Sequence, residues 1–236
     1  MKLAIFGPIY GKINELYHKL DKDVEWAIGA GDFGIWPDPS RIDRGTRKHN
    51  GPGDFANLYL QGFSAPIQTL IVPGIHEDHK WLKHRWDARN LEILGNVHIL
   101  TNGYHTSIGD LTTNIQVVGI GKTFSPISYN DRYKKKAYKH YAKNDIKRAA
   151  AAQKADILIM YDGSQHLDQI NLVSKLQPEL FICTRKNHHS SIKLIEQEVV
   201  IEPGKVIYIN LPNKNSENKE SYNRGIVNFS REELNK

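Results

Sequence analysis

Short apolar runs alternate with stretches of helical spacing over the first two thirds of this chain, and that alternation predicts a layered α/β fold. Residues 3–6 (Leu3, Ala4, Ile5, Phe6) form a first buried strand, and 11–20 follow as a helix carrying Ile13, Leu16, Tyr17 and Leu20 on one face. A second strand at 26–30 empties into a loop at 31–53, rich in Gly, Pro, Asp and Arg. A loop of that length inside a compact unit is usually functional or disordered. A helix near 54–61, a strand at 69–72, a Pro73-Gly74 turn and a charged amphipathic piece at 76–86 continue the alternation. Further on, 97–100 and 115–120 read as neighbouring strands on either side of a turn at Asn102-Gly103. Strands at 157–161 and 180–183 flank a helix with Leu167, Ile170, Val173 and Leu176. The final third is β-rich, with candidate strands at 192–195, 199–201, 206–209 and 226–229 and a polar loop at 213–220.

Length and composition narrow the class. The 236 residues suit one α/β domain, taken as 1–236 with a basic insertion at about 123–154. Lys and Arg number 32 against 26 Asp and Glu, a net charge of +6 that favours polyanionic partners. A single cysteine, Cys183, leaves no intramolecular disulfide and no thiolate cluster, which fits a reducing compartment. The apolar run at the N-terminus breaks at Gly7-Pro8, and no run approaches the ~20 residues of a membrane span. The expectation is therefore a cytoplasmic protein with no membrane partner.

The residues just after each predicted strand carry the chemistry. Gly7-Pro8-Ile9-Tyr10-Gly11 follows the first strand, Gly31-Asp32-Phe33 the second and Gly74-Ile75-His76-Glu77 the third. Tyr161-Asp162 and Thr184-Arg185-Lys186-Asn187-His188 follow two later strands. This order and spacing resembles the calcineurin-like metallophosphoesterases, whose motifs run D-x-H-G, G-D, G-N-H-E, a lone H and G-H-x-H. Among the branches the pattern looks closest to lariat debranching enzymes, through residues 2–17, Gly31-Asp32-Phe33 and 66–77. The resemblance implies a two-sheet α/β sandwich flanked by helices. It also implies two divalent ions that clamp a phosphate and activate water, with the Asp of G-D bridging them.

Position by position, the ligand set departs from that pattern. Pro8 and Tyr10 stand where the family has Asp and His, Ile75 where it has Asn, and Tyr161 where it has the lone His. Arg185 and Asn187 fall on the G-H-x-H pair, with Thr184 in place of its Gly. Asp32 alone matches a metal ligand, and His76, the family's general acid, is kept beside Glu77. Proline and isoleucine side chains cannot coordinate a metal, and a guanidinium beside a divalent ion is repulsive. The expectation is no metal and no other cofactor, with Arg185 as an internal cation that could pair with Asp32.

Several residues admit two readings. Asp32 and His76 are the catalytic candidates, each with a structural alternative. Tyr10, Asp32, His76, Tyr161, Arg185 and Asn187 are the candidate ligand-binding set. The clusters His76-Glu77-Asp78-His79 and His188-His189 are dense in metal donors, though adjacent histidines on a strand point to opposite faces. Residues 130–150 hold eight Lys and Arg against two Asp, which equals the net charge of the whole chain. Lys134, Lys135, Lys136, Lys139 and Lys143, interleaved with Tyr133, Tyr138 and Tyr141, are the candidate nucleic-acid contacts. The alternative is a solvated insertion. Trp36, Trp81 and Trp86 read as packing residues rather than ligand platforms.

Two function classes remain open on the sequence. One is a pseudoenzyme that has lost its metals and binds a phosphate-bearing small molecule, nucleic acid or a protein partner. The other is a working phosphoesterase-like hydrolase with a rebuilt metal site, or one acting without metal through Arg185 and His76.

Overall fold

The first strand, β1 (Lys2–Phe6), lies at the centre of a six-stranded sheet, hydrogen-bonded in parallel to β2 (Trp26–Gly31). The same sheet continues in parallel through β3 (Ser64–Pro73) and β4 (Glu92–Ile99). On the other side of β1 it is closed by the antiparallel strands β12 (Val206–Asn210) and β13 (Arg224–Gly225). A second sheet of five strands runs β11 (Glu198–Val200), β10 (Leu180–Cys183), β9 (Ile157–Met160), β6 (Asn114–Ile120) and β5 (Tyr104–Gly109), with only β5 antiparallel. A small parallel pair, β7 (Thr123–Phe124) and β8 (His140–Tyr141), stands apart from both. The computed structural model describes residues 1–49, 51–109, 113–125, 139–164, 166–184, 198–211 and 224–225.

Strand alternation sorts the core into three apolar layers. Ala4, Phe6, Ala27 and Ile71 face outward from the first sheet, onto α1 (Ile13–Lys19), α3 (Phe55–Leu60) and α4 (His79–Asp87), which supply Ile13, Leu16, Phe55, Leu58 and Leu82. Leu3, Ile5, Ile28, Leu70 and Val72 face inward and meet Val117, Ile157, Ile159 and Ile182 of the second sheet. Val118, Leu158, Met160, Phe181 and Cys183 form the third layer, under α5 (Lys143–Ala149) and α6 (Leu167–Leu176). The order is thus helices, sheet, sheet, helices: the two-sheet α/β sandwich expected from the sequence.

Three expectations need correction. Strands 97–100 and 115–120 are not ladder neighbours: β4 edges the first sheet and β6 sits inside the second. They meet face to face instead, since a side chain on Gly119 would lie 2.8 Å from both Leu100 and Val72. β6 pairs instead with β9 and with β5, and the apolar pattern does not show β5 because Ile108 is its only buried apolar residue. The loop at 31–53 also contains structure, a 3₁₀ turn at Pro39–Arg41 and α2 (Arg44–His49).

The basic stretch at 123–154 is the third correction. Residues 126–138 lie outside the described residues, and with them Tyr133, Tyr138, Lys134, Lys135 and Lys136. The remainder is no solvated insertion, because Tyr141, Ile146 and Ala149 are buried in the third apolar layer. The candidate strands at 192–195 and 226–229 and the loop at 213–220 lie outside the described residues as well.

Candidate functional site

The carboxyl ends of β1, β2 and β3 and of β9 open at the same edge of the sandwich, so the loops after them converge. Asp32, the residue after β2, joins the two sheets there. Its Oδ1 accepts a 2.7 Å hydrogen bond from the His76 backbone N–H, and its Oδ2 accepts one of 2.9 Å from the Tyr161 hydroxyl. Pro8 closes the same space: a Cβ on Gly31 would lie 2.9 Å from the Tyr161 ring and 3.0 Å from the Pro8 ring. Gly31 holds φ +112°, so glycine meets both a conformational and a steric demand at this point. Gly74 is equally constrained, because any side chain there would overlap the Asp32 carboxylate.

Glu77 lies one residue beyond His76 and is almost fully buried. Its carboxylate accepts three successive backbone N–H groups, from Phe33 (2.6 Å), Gly34 (3.0 Å) and Ile35 (2.6 Å). It therefore fixes the loop that leaves β2. Burial pushes the Asp32 carboxyl above the usual carboxylate range, although the His76 and Tyr161 hydrogen bonds oppose the shift. Glu77 is pushed further up, by burial and then by the charge of Asp32. Two buried carboxyl groups thus share the base of the site.

A second group of side chains rims it. The His76 ring turns away from Asp32, and its Nδ1 faces both oxygens of Asp43 at 3.2 and 3.1 Å. Asp43 also accepts the Thr46 backbone N–H at 2.7 Å and pairs with the Lys139 ammonium. Burial works against the Asp43 charge, but the hydrogen bonds from Lys139, Thr46 and His76 outweigh it and hold the carboxyl well below its ordinary value. Tyr10 takes φ +50° and stacks its ring on His49 at 4.2 Å, and His49 meets His76 edge-on at 5.8 Å. Behind this rim, His79 is buried. Burial, then the charges of Lys122 and Lys139, hold it well below the usual histidine range. Lys122 follows β6, donates its backbone N–H to the Pro73 carbonyl at 3.0 Å, and is lowered by burial to about 8.

Of the residues singled out in the sequence, Tyr10, Asp32, His76 and Tyr161 come together here. Arg185 and Asn187 lie outside the described residues, and so does the Arg185–Asp32 pair. Lys139 is turned inward onto Asp43 rather than presented to solvent, and Lys143 pairs with Asp168 at 3.2 Å. Tyr141 is no stacking platform: its buried hydroxyl donates to Asp162 at 2.9 Å. The donor-rich run at 76–79 does not gather on one point either. Glu77 binds backbone, Asp78 caps α4 and holds Arg41 at 2.9 Å, and His79 is buried. Among the described residues, no three of His, Cys, Asp and Glu are grouped to hold a metal ion.

Asp43 was missed on the sequence, although Asp43 three residues before Thr46 is the spacing by which a side chain caps a helical turn. Lys122 carried no comparable signal, and His79 stood out only as the end of the donor-rich run at 76–79.

No family model matches the chain. It is 26% identical to the lariat debranching enzyme of Schizosaccharomyces pombe, over a 193-residue alignment covering 75% of this chain. The aligned region spans 40% of the relative's length. That similarity supports a related phosphoesterase family, the one the motif spacing resembles.

Proposed function

We propose that this chain is a metallophosphoesterase-type sandwich whose strand-end site binds a phosphate-bearing ligand and has given up the two-metal centre of its relatives. The observation that carries the reading is the closed shell around Asp32. In a two-metal site this carboxylate would be the ligand shared by the two ions. Here one oxygen takes a backbone N–H and the other a phenol hydroxyl, with the Pro8 and Tyr161 rings packed against Gly31.

The described residues do not fit a dinuclear centre. Of the positions after β1, β2, β3 and β9, Pro8 and Ile75 have no donor atom in their side chains, and the Tyr161 oxygen is committed to Asp32.

Binding of phosphate is supported by the rim. The His76 and His49 rings meet edge-on there, and the Lys122 charge reaches the buried His79, so hydrogen-bond donors and a lysine line the rim. Such a rim attracts an anion without needing to activate a nucleophile.

The test is hydrolysis of bis(p-nitrophenyl) phosphate with added Mn²⁺ or Zn²⁺, run beside a calorimetric titration with inorganic pyrophosphate. The expected result is negligible turnover with measurable pyrophosphate binding. Metal-dependent turnover that disappears in Asp32→Asn would overturn the proposal.

A further inference from the structure

The helix α4 carries a surface that the strand-end site does not use. Its buried side is His79 and Leu82, and its remaining faces carry Lys80, Lys83, His84 and Arg85, followed by Arg89. The one acid among these residues, Asp87, pairs with Lys83 across an exposed contact of the kind that contributes little and opens readily. Two tryptophans sit between the cations. Trp81 is half-buried and held edge-on by Phe55 at 6.0 Å and Tyr59 at 5.7 Å, with the Arg85 guanidinium 5.3 Å from its ring. Trp86 leans on the exposed Tyr104 at 4.7 Å, and the Arg148 guanidinium stands 4.8 Å from the Tyr104 ring.

Beside Trp81 lies a cleft of about 330 Å³, lined by Arg41, Lys80, Trp81, Lys83, His84 and Asp87. Arg41 enters it from the 3₁₀ turn after β2, tied back by Asp78. A fixed aromatic ring bordered by cations in a shallow basic cleft suits a base stacked on the ring with its phosphates on the lysines. An acidic peptide would use the charges and leave the rings idle. A duplex keeps its bases stacked and would do the same.

We propose that the α4 face, from Arg41 through Trp81 to Trp86 and Tyr104, is a docking surface for single-stranded nucleic acid. It is separate from the strand-end site and does not depend on it. It also differs from a contact at 130–150, where the Lys139 ammonium is turned inward onto Asp43.

The test is fluorescence anisotropy of a labelled oligouridylate titrated with the full chain at several salt concentrations. The Lys80→Gln, Lys83→Gln, Arg89→Gln variant alters only exposed side chains, and its fold is checked by thermal melting. Binding should weaken at least about tenfold at low salt, and the log-log salt slope should shrink by about 2, from roughly 0.7 per lost phosphate contact. Trp81→Phe, which keeps an aromatic ring against Phe55 and Tyr59, should reduce both affinity and the quenching of tryptophan fluorescence on binding. A Lys143→Gln, Lys147→Gln control should change affinity little. Unchanged affinity and slope in the triple variant, or tighter binding to a duplex of the same sequence than to the single strand, would overturn the proposal.

Discussion

Asp32 is held by two donors of different origin, a backbone amide from its own sheet and a phenol from the other, and each can be tested alone. Tyr161→Phe keeps the ring against Gly31 and removes only the hydroxyl, leaving Oδ2 of a buried carboxyl without its 2.9 Å donor. A loss of about 1–3 kcal/mol in urea unfolding is expected, where a merely adjacent ring would show none. His79 sets a second expectation, this one in pH. Its folded pKa is depressed, so the unfolded chain binds a proton more readily. The stability this neutral, buried imidazole contributes is present above about pH 6.5 and is lost as pH falls below it, at up to about 1.4 kcal/mol per pH unit. The raised Asp32 and Glu77 carboxyls act in the opposite sense, favouring the folded state at low pH and losing that advantage as pH rises through their folded values. Denaturant melts at pH 7 and pH 5 should therefore show a smaller acid-side loss in His79→Gln than in the unaltered protein. At this scale the sequence exposed the residues that face the site from strand ends, Pro8, Asp32, His76 and Tyr161, because motif spacing locates strand ends. It hid Asp43, which reaches His76 from a loop turn 33 residues away and becomes a partner only when the chain folds.

The elements that surprised most are those whose pattern is polar for a structural reason. Strand β5 has one covered position because it edges its sheet, and β6 was legible because Val117, Val118 and Ile120 are buried on both faces. Helix α5 lies in the basic stretch, whose charges suggested solvation. In the fold, Lys143, Lys147 and Arg148 turn outward while Ile146 and Ala149 pack beneath. Charge content reports the exposed side of an amphipathic helix and says nothing of its covered side. Ile146→Ala should then cost about 2–5 kcal/mol, as for a core residue, measured by chemical denaturation. A change within a few tenths of a kcal/mol would mean that this helix is the solvated appendage its composition suggests. The basic helix α4 makes the complementary point, since its packed side is narrow and its cations and tryptophan rings are left at the surface.

Across the whole molecule, the two sheets form a sandwich that brings strand ends from both onto one site, with Asp32 and Tyr161 as the bond between them. That architecture was legible because parallel strands covered on both faces leave continuous apolar runs, and because four of the motifs fall at the ends of β1, β2, β3 and β9. Where the two sheets meet, the Tyr161 hydroxyl donates to Asp32 and the Pro8 and Tyr161 rings pack against Gly31. No helix among the described residues is long and apolar enough to cross a membrane. The central claim is that this site has exchanged its metals for internal packing and hydrogen bonds. It is tested most directly by elemental analysis of the full chain, expressed in medium supplemented with manganese, iron and zinc and purified without chelators. The expected content is far below one of these ions per chain, and a content near two ions per chain that falls away in Asp32→Asn would contradict it.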